Sequence, residues 1–350
     1  MPINYFRAKN TNGMMNKVYP NVNDEECVRD TSRNGDVLRF EGLSVMEYTQ
    51  PWETVNFHID RDINPFFTVM EIAWMLAGRR DVNFLNYFNS NMKNYSDDGV
   101  NFNAAYGYRL RYHFGFDQLE AVIKILRKDP TTRQAVCQIW CPSDLGANTL
   151  DKACNMQLLF SLQPNTRKLD MIIYNRSNDS IWGAVSGTNP AHFGAIHQYV
   201  ANGAILEQGS MYQVSANLHT YLDNPKTPLL INRKIGKGDF YANYNLNELD
   251  FAVTTYKYAK MLDDLRIFFG WFDTDPNLIV SYAEKWVTGN EGLCLENMFV
   301  NQLCVLFAAY TAYKNKDYGK AIDWCDEVHT DWSLRCLGWL AQREINRNKK

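Results

Sequence analysis

The spacing of hydrophobic residues predicts several β-strands in the first two thirds of the chain. The stretch "NMQLLFSLQP" alternates apolar and polar residues, which is the pattern of a strand with one buried face. Five other stretches are also predicted to be strands, from alternation or from β-branched and aromatic content: "GDVLRFEGLSVMEYT", "ETVNFHI", "RQAVCQIWCP", "KLDMIIYNRSND" and "SMYQVSANLHTY".

Helical periodicity marks three segments between these strands and then dominates the rest of the chain. The stretches "PFFTVMEIAWMLAG", "FGFDQLEAVIKILRKDP" and "NPAHFGAIHQYVANGA" are predicted helices, and Asp129-Pro130 ends the second of them. After about residue 245, five successive segments are helical in period. We therefore predict an α/β (α+β) domain over residues 1–245 and a helical C-terminal extension over residues 246–350.

Composition narrows the class of protein without identifying it. The 350 residues are 46% hydrophobic and 21% charged, so a packed core is expected. A net charge of -3 argues against a broad electrostatic surface for nucleic acid or an anionic membrane. The N-terminus lacks the apolar run of a signal peptide, and no apolar stretch is long enough to span a bilayer. We expect a cytoplasmic protein, in the host cytoplasm if it is viral, with neither nucleic acid nor membrane as a partner.

Eight cysteines are scattered through the chain without a CxxC pair. Cys137 and Cys141 have no nearby Cys/His pair to complete a zinc site, so no metal site is predicted. In a cytosolic chain most cysteines are small buried hydrophobes. Cys154 differs because it stands at the entrance of a predicted strand, where a neighbouring arginine such as Arg133 or Arg176 could favour its thiolate.

Polar residues suited to a phosphorylated ligand occur at the ends of several elements. The turn "NRSND" places Arg176 beside Ser177, and the turn "TSRNGD" contains Arg33; guanidinium and hydroxyl groups together suit a phosphate. His219 and Tyr221 are two apart, as a pair of donors for sugar hydroxyls would be. Further candidates are an amide at a helix start and an acid inside an apolar helix, namely Asn189 and Glu71.

The order of these features resembles the thymidylate synthase family, which includes the pyrimidine nucleotide hydroxymethylases. Six stretches resemble the family's motifs: "MEIAWMLAG", "NAAYGYRLR", "DPTTRQAVCQIWCPSDL", "YNRSNDSIWG", "NPAHFGAIHQYVA" and "NLHTYLDN". The resemblance implies an α/β fold with a large twisted sheet through which two subunits pack. It also implies one-carbon transfer from 5,10-methylenetetrahydrofolate to C5 of a pyrimidine nucleotide.

The resemblance also assigns roles to individual residues. It implies that Cys154 attacks C6 of the base, while Glu71 and Tyr106 assist proton transfer. Asp179 would bind folate, and Arg133 would reach the phosphate of a partner subunit in a homodimer. The implied nucleotide-binding residues are Arg33, Arg133, Arg176, Ser177, Asn189, His219 and Tyr221.

Departures from the family pattern bear on the product. Asn155 follows the cysteine where the family has a histidine, and Met92 and Tyr95 stand where tryptophans usually cover folate. The turn before the base-reading helix is two residues longer than in the family, so either Asn189 or Gly187 takes the asparagine position. The closing C-terminal tail is replaced by the helical extension. Weaker exclusion of water favours a hydroxymethyl over a methyl product.

Several alternatives remain open at this point. Asn189 favours dUMP, whereas dCMP would be expected to meet an aspartate. A true thymidylate synthase, a dCMP hydroxymethylase and a noncatalytic nucleotide-binding relative stay in competition. A cysteine hydrolase ranks lower because the six histidines offer no recognisable pairing with Cys154.

Overall fold

The computed structural model describes residues 2–232, 240–243, 258–290 and 293–348. The predicted loop "IGKGD" and the first part of the predicted helix "LDFAVTTYKYAKMLDDLRIFFGWF" lie outside these residues. The helices are α1 (Thr11–Val18), α2 (Pro65–Leu76), α3 (Val82–Phe88), α4 (Tyr106–Tyr108), α5 (Gln118–Lys128), α6 (Asn189–Gly203), α7 (Thr227–Ile231), α8 (Tyr258–Thr274), α9 (Asn277–Val287), α10 (Met298–Lys314), α11 (Tyr318–Asp326) and α12 (Asp331–Asn348).

Among the described residues, ten strands form two mixed sheets. The larger sheet has the order β1-β4-β9-β7-β6-β5, and the smaller has the order β2-β3-β10-β8. The strands are β1 (Ile3–Ala8), β2 (Cys27–Ser32), β3 (Gly35–Phe40), β4 (Leu43–Tyr48), β5 (Val136–Gln138), β6 (Asn155–Leu162), β7 (Lys168–Asn175), β8 (Asn178–Asp179), β9 (Glu207–Ser215) and β10 (Leu218–Tyr221). The predicted combination of a large sheet with packed helices is confirmed.

Local sequence explains the two helices that support the site. In α2 the Asn64 side chain accepts from the Phe67 N–H at 3.3 Å, and Pro65 takes the first helical position, where no N–H is needed. Every residue of α2 is buried except Glu71. Helix α6 begins at Asn189 and is also buried along most of its length, so the two apolar helices pack together under the large sheet.

The two faces of the large sheet differ in how deeply their side chains are buried. Side chains on one face, such as Met171 and Ile173, are fully buried against helices. On the opposite face, Val214 and the cross-strand neighbours Ile172 and Leu159 are only partly buried, and Tyr174, which pairs with Val214, is exposed. Antiparallel and mixed sheets commonly leave one face to solvent, but such a face is then usually polar. This face, which is partly apolar and which the described residues leave uncovered, is called the open sheet face below.

Helices α8, α10 and α12 pack on α2 and α3, and helices α9 and α11 pack in turn on these C-terminal helices. Phe307 of α10 stacks on Tyr87 with ring centroids 5.3 Å apart, and the Tyr310 hydroxyl donates to the Phe88 carbonyl at 2.8 Å. Trp339 of α12 meets the ring of Phe66 edge-on at 5.9 Å. In the described residues from 258 onward the structure is helical, as the periodicity predicts, while the domain boundary at 245 stays a prediction.

Two strand predictions are wrong. "ETVNFHI" is extended but joins no sheet, since side chains satisfy its backbone: the Val55 N–H donates to the Tyr241 hydroxyl and the Phe57 N–H to Asn12 Oδ1. "SMYQVSANLHTY" is two strands, because the chain leaves β9 at Ser215 and enters the smaller sheet as β10. Within the described ranges, the helices are too short or too polar to cross a bilayer.

Candidate functional site

A cavity of about 480 Å³ opens where the ends of β6, β7 and β10 come together. Residues that the sequence separates by almost 190 positions meet there, from the β2–β3 turn to β10. Among the predicted site residues, those that line this cavity are Arg33, Tyr106, Cys154, Arg176, Ser177, Asp179, Asn189, His219 and Tyr221. Glu71, Asn155 and Arg133 do not line it.

Cys154 is the last residue before β6. Its side chain is half-buried and faces the cavity. The backbone here is fixed by a hydrogen bond from the Arg176 N–H to the Cys154 carbonyl at 3.0 Å. The Arg176 guanidinium donates to the Ala153 carbonyl at 2.8 Å, which places Nη2 at 3.7 Å from the sulfur. The thiol therefore has a cation beside it, as a cysteine nucleophile needs.

Opposing effects act on the Cys154 thiol. Burial raises its pKa above the ordinary cysteine value, whereas the positive charges of Arg176 and Arg33 lower it. Within the described residues, the hydrogen-bond partners of the sulfur are Arg176 and the Lys152 carbonyl. Neither can act as a general base, so the geometry does not favour the cysteine hydrolase.

We expect Arg176→Gln to raise the thiol pKa further and to slow alkylation of Cys154 by iodoacetamide roughly tenfold near neutral pH. The rate at this position is followed by peptide mass spectrometry across a pH series. Arg176→Lys, which keeps the charge, should recover much of the rate, and Arg29→Gln, at an exposed arginine paired with Asp24, should leave it unchanged. An unaltered pH profile in Arg176→Gln would contradict this assignment.

Tyr106 and Asn155 flank the cysteine from the protein side. The Cys154 N–H donates to the Tyr106 hydroxyl at 3.4 Å, and burial raises the pKa of Tyr106 well above its ordinary value, so the phenol stays protonated. Asn155 is completely buried in β6, and in the described structure neither polar atom of its amide makes a regular hydrogen bond. Asn155 is thus placed behind the nucleophile rather than in the cavity wall.

Glu71 lines a second cavity of about 280 Å³ that shares Tyr106 and Asn189 with the first. Its carboxylate lies 3.0 Å from His192 Nε2, on the facing helix α6. Sequence reasoning missed His192. His192 follows Asn189 by three residues, which places both on one face of α6. This spacing could have identified His192 as a site residue from the sequence.

The arginines differ in position. Arg33 and Arg176 are exposed and line the cavity, as does Ser177, which lies between β7 and β8. Arg133 is exposed and precedes β5, an edge strand of the large sheet, by three residues. Its predicted role in a partner's site is compatible with this position and stays a prediction.

Asn189, rather than Gly187, faces the cavities. Asn189 lines both of them, and its Nδ2 donates to Asn178 Oδ1 at 3.3 Å. Gly187 is buried in the preceding turn, where an added Cβ would lie 1.9 Å from the Trp182 carbonyl oxygen. The two extra residues therefore lengthen the turn without displacing Asn189 from the cavities. Asn189 has the position from which a base edge could be read.

His219 and Tyr221 line the cavity from β10, with ring centroids 5.0 Å apart. His219 Nδ1 pairs with Asn217 Oδ1 at 3.0 Å, and burial lowers the pKa of the imidazole. A neutral imidazole and a phenol on one strand can both serve a ligand hydroxyl.

Asp179 caps the turn that follows β8, accepting from the Ile181 N–H at 2.9 Å and the Trp182 N–H at 3.4 Å. Burial raises its pKa to about 6, although these two N–H groups lower it. The carboxylate is therefore largely ionised at neutral pH but close to titration.

An aromatic side chain that sequence reasoning missed stands beside this acid. Trp182 is 57% exposed and lines both the first cavity and a wider cleft of about 740 Å³. Tyr95 and Leu150, 60% and 63% exposed, line the same cleft. The Arg61 guanidinium lies 4.4 Å from the Trp182 ring centroid, on the protein side. Exposed apolar groups around a cleft mark a binding surface for a flat ligand; the signal was the tryptophan in "NDSIWG".

The comparisons with known proteins agree on one family. The model of the family described as thymidylate synthase matches residues 27–286. A deoxyuridylate hydroxymethyltransferase of Pseudomonas phage M6 is 35% identical over 325 residues, covering 91% of this chain and 88% of that protein. A second protein of that name, from Bacillus phage SP01, is 41% identical over 211 residues, or 55% of this chain and 54% of the relative.

A solved structure supports the fold. The crystal structure of thymidylate synthase from T4 phage is 21% identical, covers 60% of this chain and 77% of its own, and aligns with a TM-score of 0.50. At this identity the likeness concerns the fold alone. It agrees with the α/β arrangement of sheets and packed helices described above.

Proposed function

Because this chain belongs to the thymidylate synthase family, we propose that it transfers a one-carbon unit to C5 of dUMP and yields the hydroxymethyl product. One observation carries the choice of substrate and product. The relative that matches 91% of the chain, at 35% identity, bears the name deoxyuridylate hydroxymethyltransferase. The cavity lined by Cys154, Arg176 and Asn189 supports the chemistry.

The residues of the cavity fit each part of that reaction. The Cys154 thiolate adds to C6 of the base, which makes C5 nucleophilic, and is expelled again after C5 is substituted. Arg33, Arg176 and Ser177 bind the phosphate, and His219 and Tyr221 bind the ribose hydroxyl. Glu71, held against His192, and Tyr106 move protons at the base. Asn155 supports the strand end that presents the thiol.

Water access favours hydroxymethyl over methyl. The described residues that line the three cavities all precede residue 226, so α8 to α12 contribute none of them. Helix α12 instead packs on α2, with an Arg343–Asp62 ion pair at 2.8 Å. An exocyclic methylene on C5 that meets water becomes a hydroxymethyl group, whereas a dry site would favour hydride transfer.

The cleft beside the nucleotide cavity suits a folate. Trp182, Tyr95 and Leu150 offer exposed apolar surface to its flat rings, and the Asp179 carboxylate can accept from ring N–H groups. Bound there, 5,10-methylenetetrahydrofolate would supply the one-carbon unit. Trp182 and Tyr95 thus line the proposed folate cleft, whereas Met92 lines the neighbouring cavity that contains Glu71.

Folate affinity should fall with acid because the ionised Asp179 carboxylate accepts more strongly than the protonated acid, and with both of its oxygens. With a pKa of about 6, the carboxylate is protonated progressively below that pH, so affinity should drop by up to about tenfold per pH unit. The measurement is equilibrium binding of tetrahydrofolate, with dUMP present, from about pH 5 to pH 8. Asp179→Asn should bind weakly and without this pH dependence; a parallel decline in that variant would assign the effect elsewhere.

We also propose a homodimer formed through the open sheet face. Its central residues are apolar, including Ile172, Val214 and Leu159, while Glu47 at one side is held by Arg7 at 3.1 Å. An apolar sheet face of this kind is expected to be covered by a partner. A cytoplasmic location, in the host if the source is viral, remains a prediction.

The proposal is tested by incubating the protein with dUMP or dCMP and 5,10-methylenetetrahydrofolate and identifying the products by mass spectrometry. We expect hydroxymethyl-dUMP, with its new oxygen derived from labelled water, and release of tetrahydrofolate. Methylated product with dihydrofolate would identify a thymidylate synthase instead. Preference for dCMP would contradict the assigned base, and no product with either nucleotide would favour the noncatalytic relative.

A further inference from the structure

Behind the base-facing amide of Asn189 runs a chain of buried amides. Asn189 Nδ2 donates to Asn178 Oδ1 at 3.3 Å, and Asn178 Nδ2 donates to Gln213 Oε1 at 3.2 Å. Gln213 Nε2 then donates to the Ala184 carbonyl at 3.2 Å. Gln213 is completely buried and Asn178 is 4% exposed, so solvent does not compete for these bonds.

Gln213, the last amide of this series, fixes which group donates and which accepts in every hydrogen bond of the series. A side-chain amide can turn over and exchange donor and acceptor, and its orientation is inferred from its partners. The Ala184 oxygen is a backbone carbonyl and can only accept, and it also accepts from the Tyr48 hydroxyl. Gln213 must therefore present its NH₂ to Ala184 and its oxygen to Asn178, which in turn must present its own oxygen to Asn189.

Turning Asn189 over would break this order. Its oxygen would then face the oxygen of Asn178, and relief would require reversing Asn178 and Gln213 as well, ending with two oxygens opposed at Ala184. The surroundings are also tight, since a Cβ on Gly183 would lie 2.3 Å from Asn178 Oδ1. Asn189 thus keeps its oxygen and one N–H available to the cavity in a fixed arrangement.

We infer that Asn178 and Gln213 are positioning residues that commit Asn189 to uracil and against cytosine. The edge of uracil offers the O4 acceptor and the N3–H donor, whereas cytosine offers the reverse, an N4 donor and the N3 acceptor. A freely turning amide could match either edge, but a locked amide matches one. The inference rests on the proposed pyrimidine nucleotide site.

The test is the ratio of the dissociation constants for dCMP and dUMP, measured by calorimetry without folate. Gln213→Met keeps length without polar atoms, and Asn178→Leu removes the acceptor that Asn189 uses. We expect each to lower the ratio by roughly 10-fold or more, because the freed amide can turn to suit cytosine. Two variants at different positions guard against one that fails to fold.

Matched controls distinguish the fixed orientation of the Asn189 amide from general effects on packing. Gln208→Met removes the same atoms from a glutamine of β9 that lies outside the amide chain and donates to the Gly194 carbonyl at 3.0 Å, so it should retain the wild-type ratio. Tyr48→Phe removes the other donor to Ala184 but leaves the amide chain intact, so it should also retain the ratio. The inference is overturned if wild type does not discriminate, if Gln213→Met and Asn178→Leu keep the ratio, or if either control loses it. Since binding alone is measured, the result does not depend on which product the protein makes.

Discussion

Replacing Cys154 by serine should lower turnover of dUMP by about 10⁴-fold or more and abolish the covalent adduct with 5-fluoro-dUMP and folate. Among the described residues that line the cavity, Cys154 has a thiol that lies beside a guanidinium and is suited to attack C6. A serine hydroxyl is far less acidic, and the described sulfur contacts include no base that could activate it. Turnover is followed by product mass, and the adduct by intact-protein mass spectrometry.

A matched control is available because the chain contains other free cysteines. Cys294 is exposed and distant in sequence from the cavity residues, so Cys294→Ser should retain both turnover and adduct. Nucleotide binding by Cys154→Ser, measured by calorimetry, shows that the site still folds. Normal adduct formation in Cys154→Ser would move the nucleophile elsewhere and refute the mechanism.

The parts of the fold that follow local periodicity were predictable. Helix α2 carries its own cap and proline, and β6 its alternation, so both were recognised. "ETVNFHI" was mistaken for a strand because its partners, Asn12 and Tyr241, lie far away in sequence. Pairing of strands across the two sheets likewise depends on contacts that no local pattern contains.

The site was predictable as an ordered series of motifs, whereas its geometry was not. Asn189 could not be chosen over Gly187 until the turn was seen to bury the glycine against Trp182. The pairing of Glu71 with His192 is a contact between two helices. The amide chain through Gln213 was invisible for the same reason, since a buried glutamine in a strand has no sequence signature of its role.

The second prediction with a large expected effect is loss of the dimer after a substitution in the open sheet face. Ile172 lies on β7 near the middle of that face, next to Leu159 and Tyr212 on the neighbouring strands. Ile172→Asp would place a charge in the proposed subunit interface, where it could be neither solvated nor paired. We therefore expect a monomer of 40.6 kDa by light scattering, where wild type has twice that mass. Ile345→Asp, at an isoleucine 54% exposed on α12, is the matched control and should remain dimeric.

Loss of the dimer should also remove activity, because Arg133, which precedes the edge strand β5, is proposed to complete the partner's phosphate site. The separate variants Arg133→Ala and Cys154→Ser should each be nearly inactive. Mixed and allowed to exchange subunits, they should regain up to about a quarter of wild-type activity, since half the dimers then contain one intact site. No recovery in a mixture shown to contain heterodimers would mean that Arg133 serves its own subunit or none, and an active Ile172→Asp monomer would show that the site is complete within one chain.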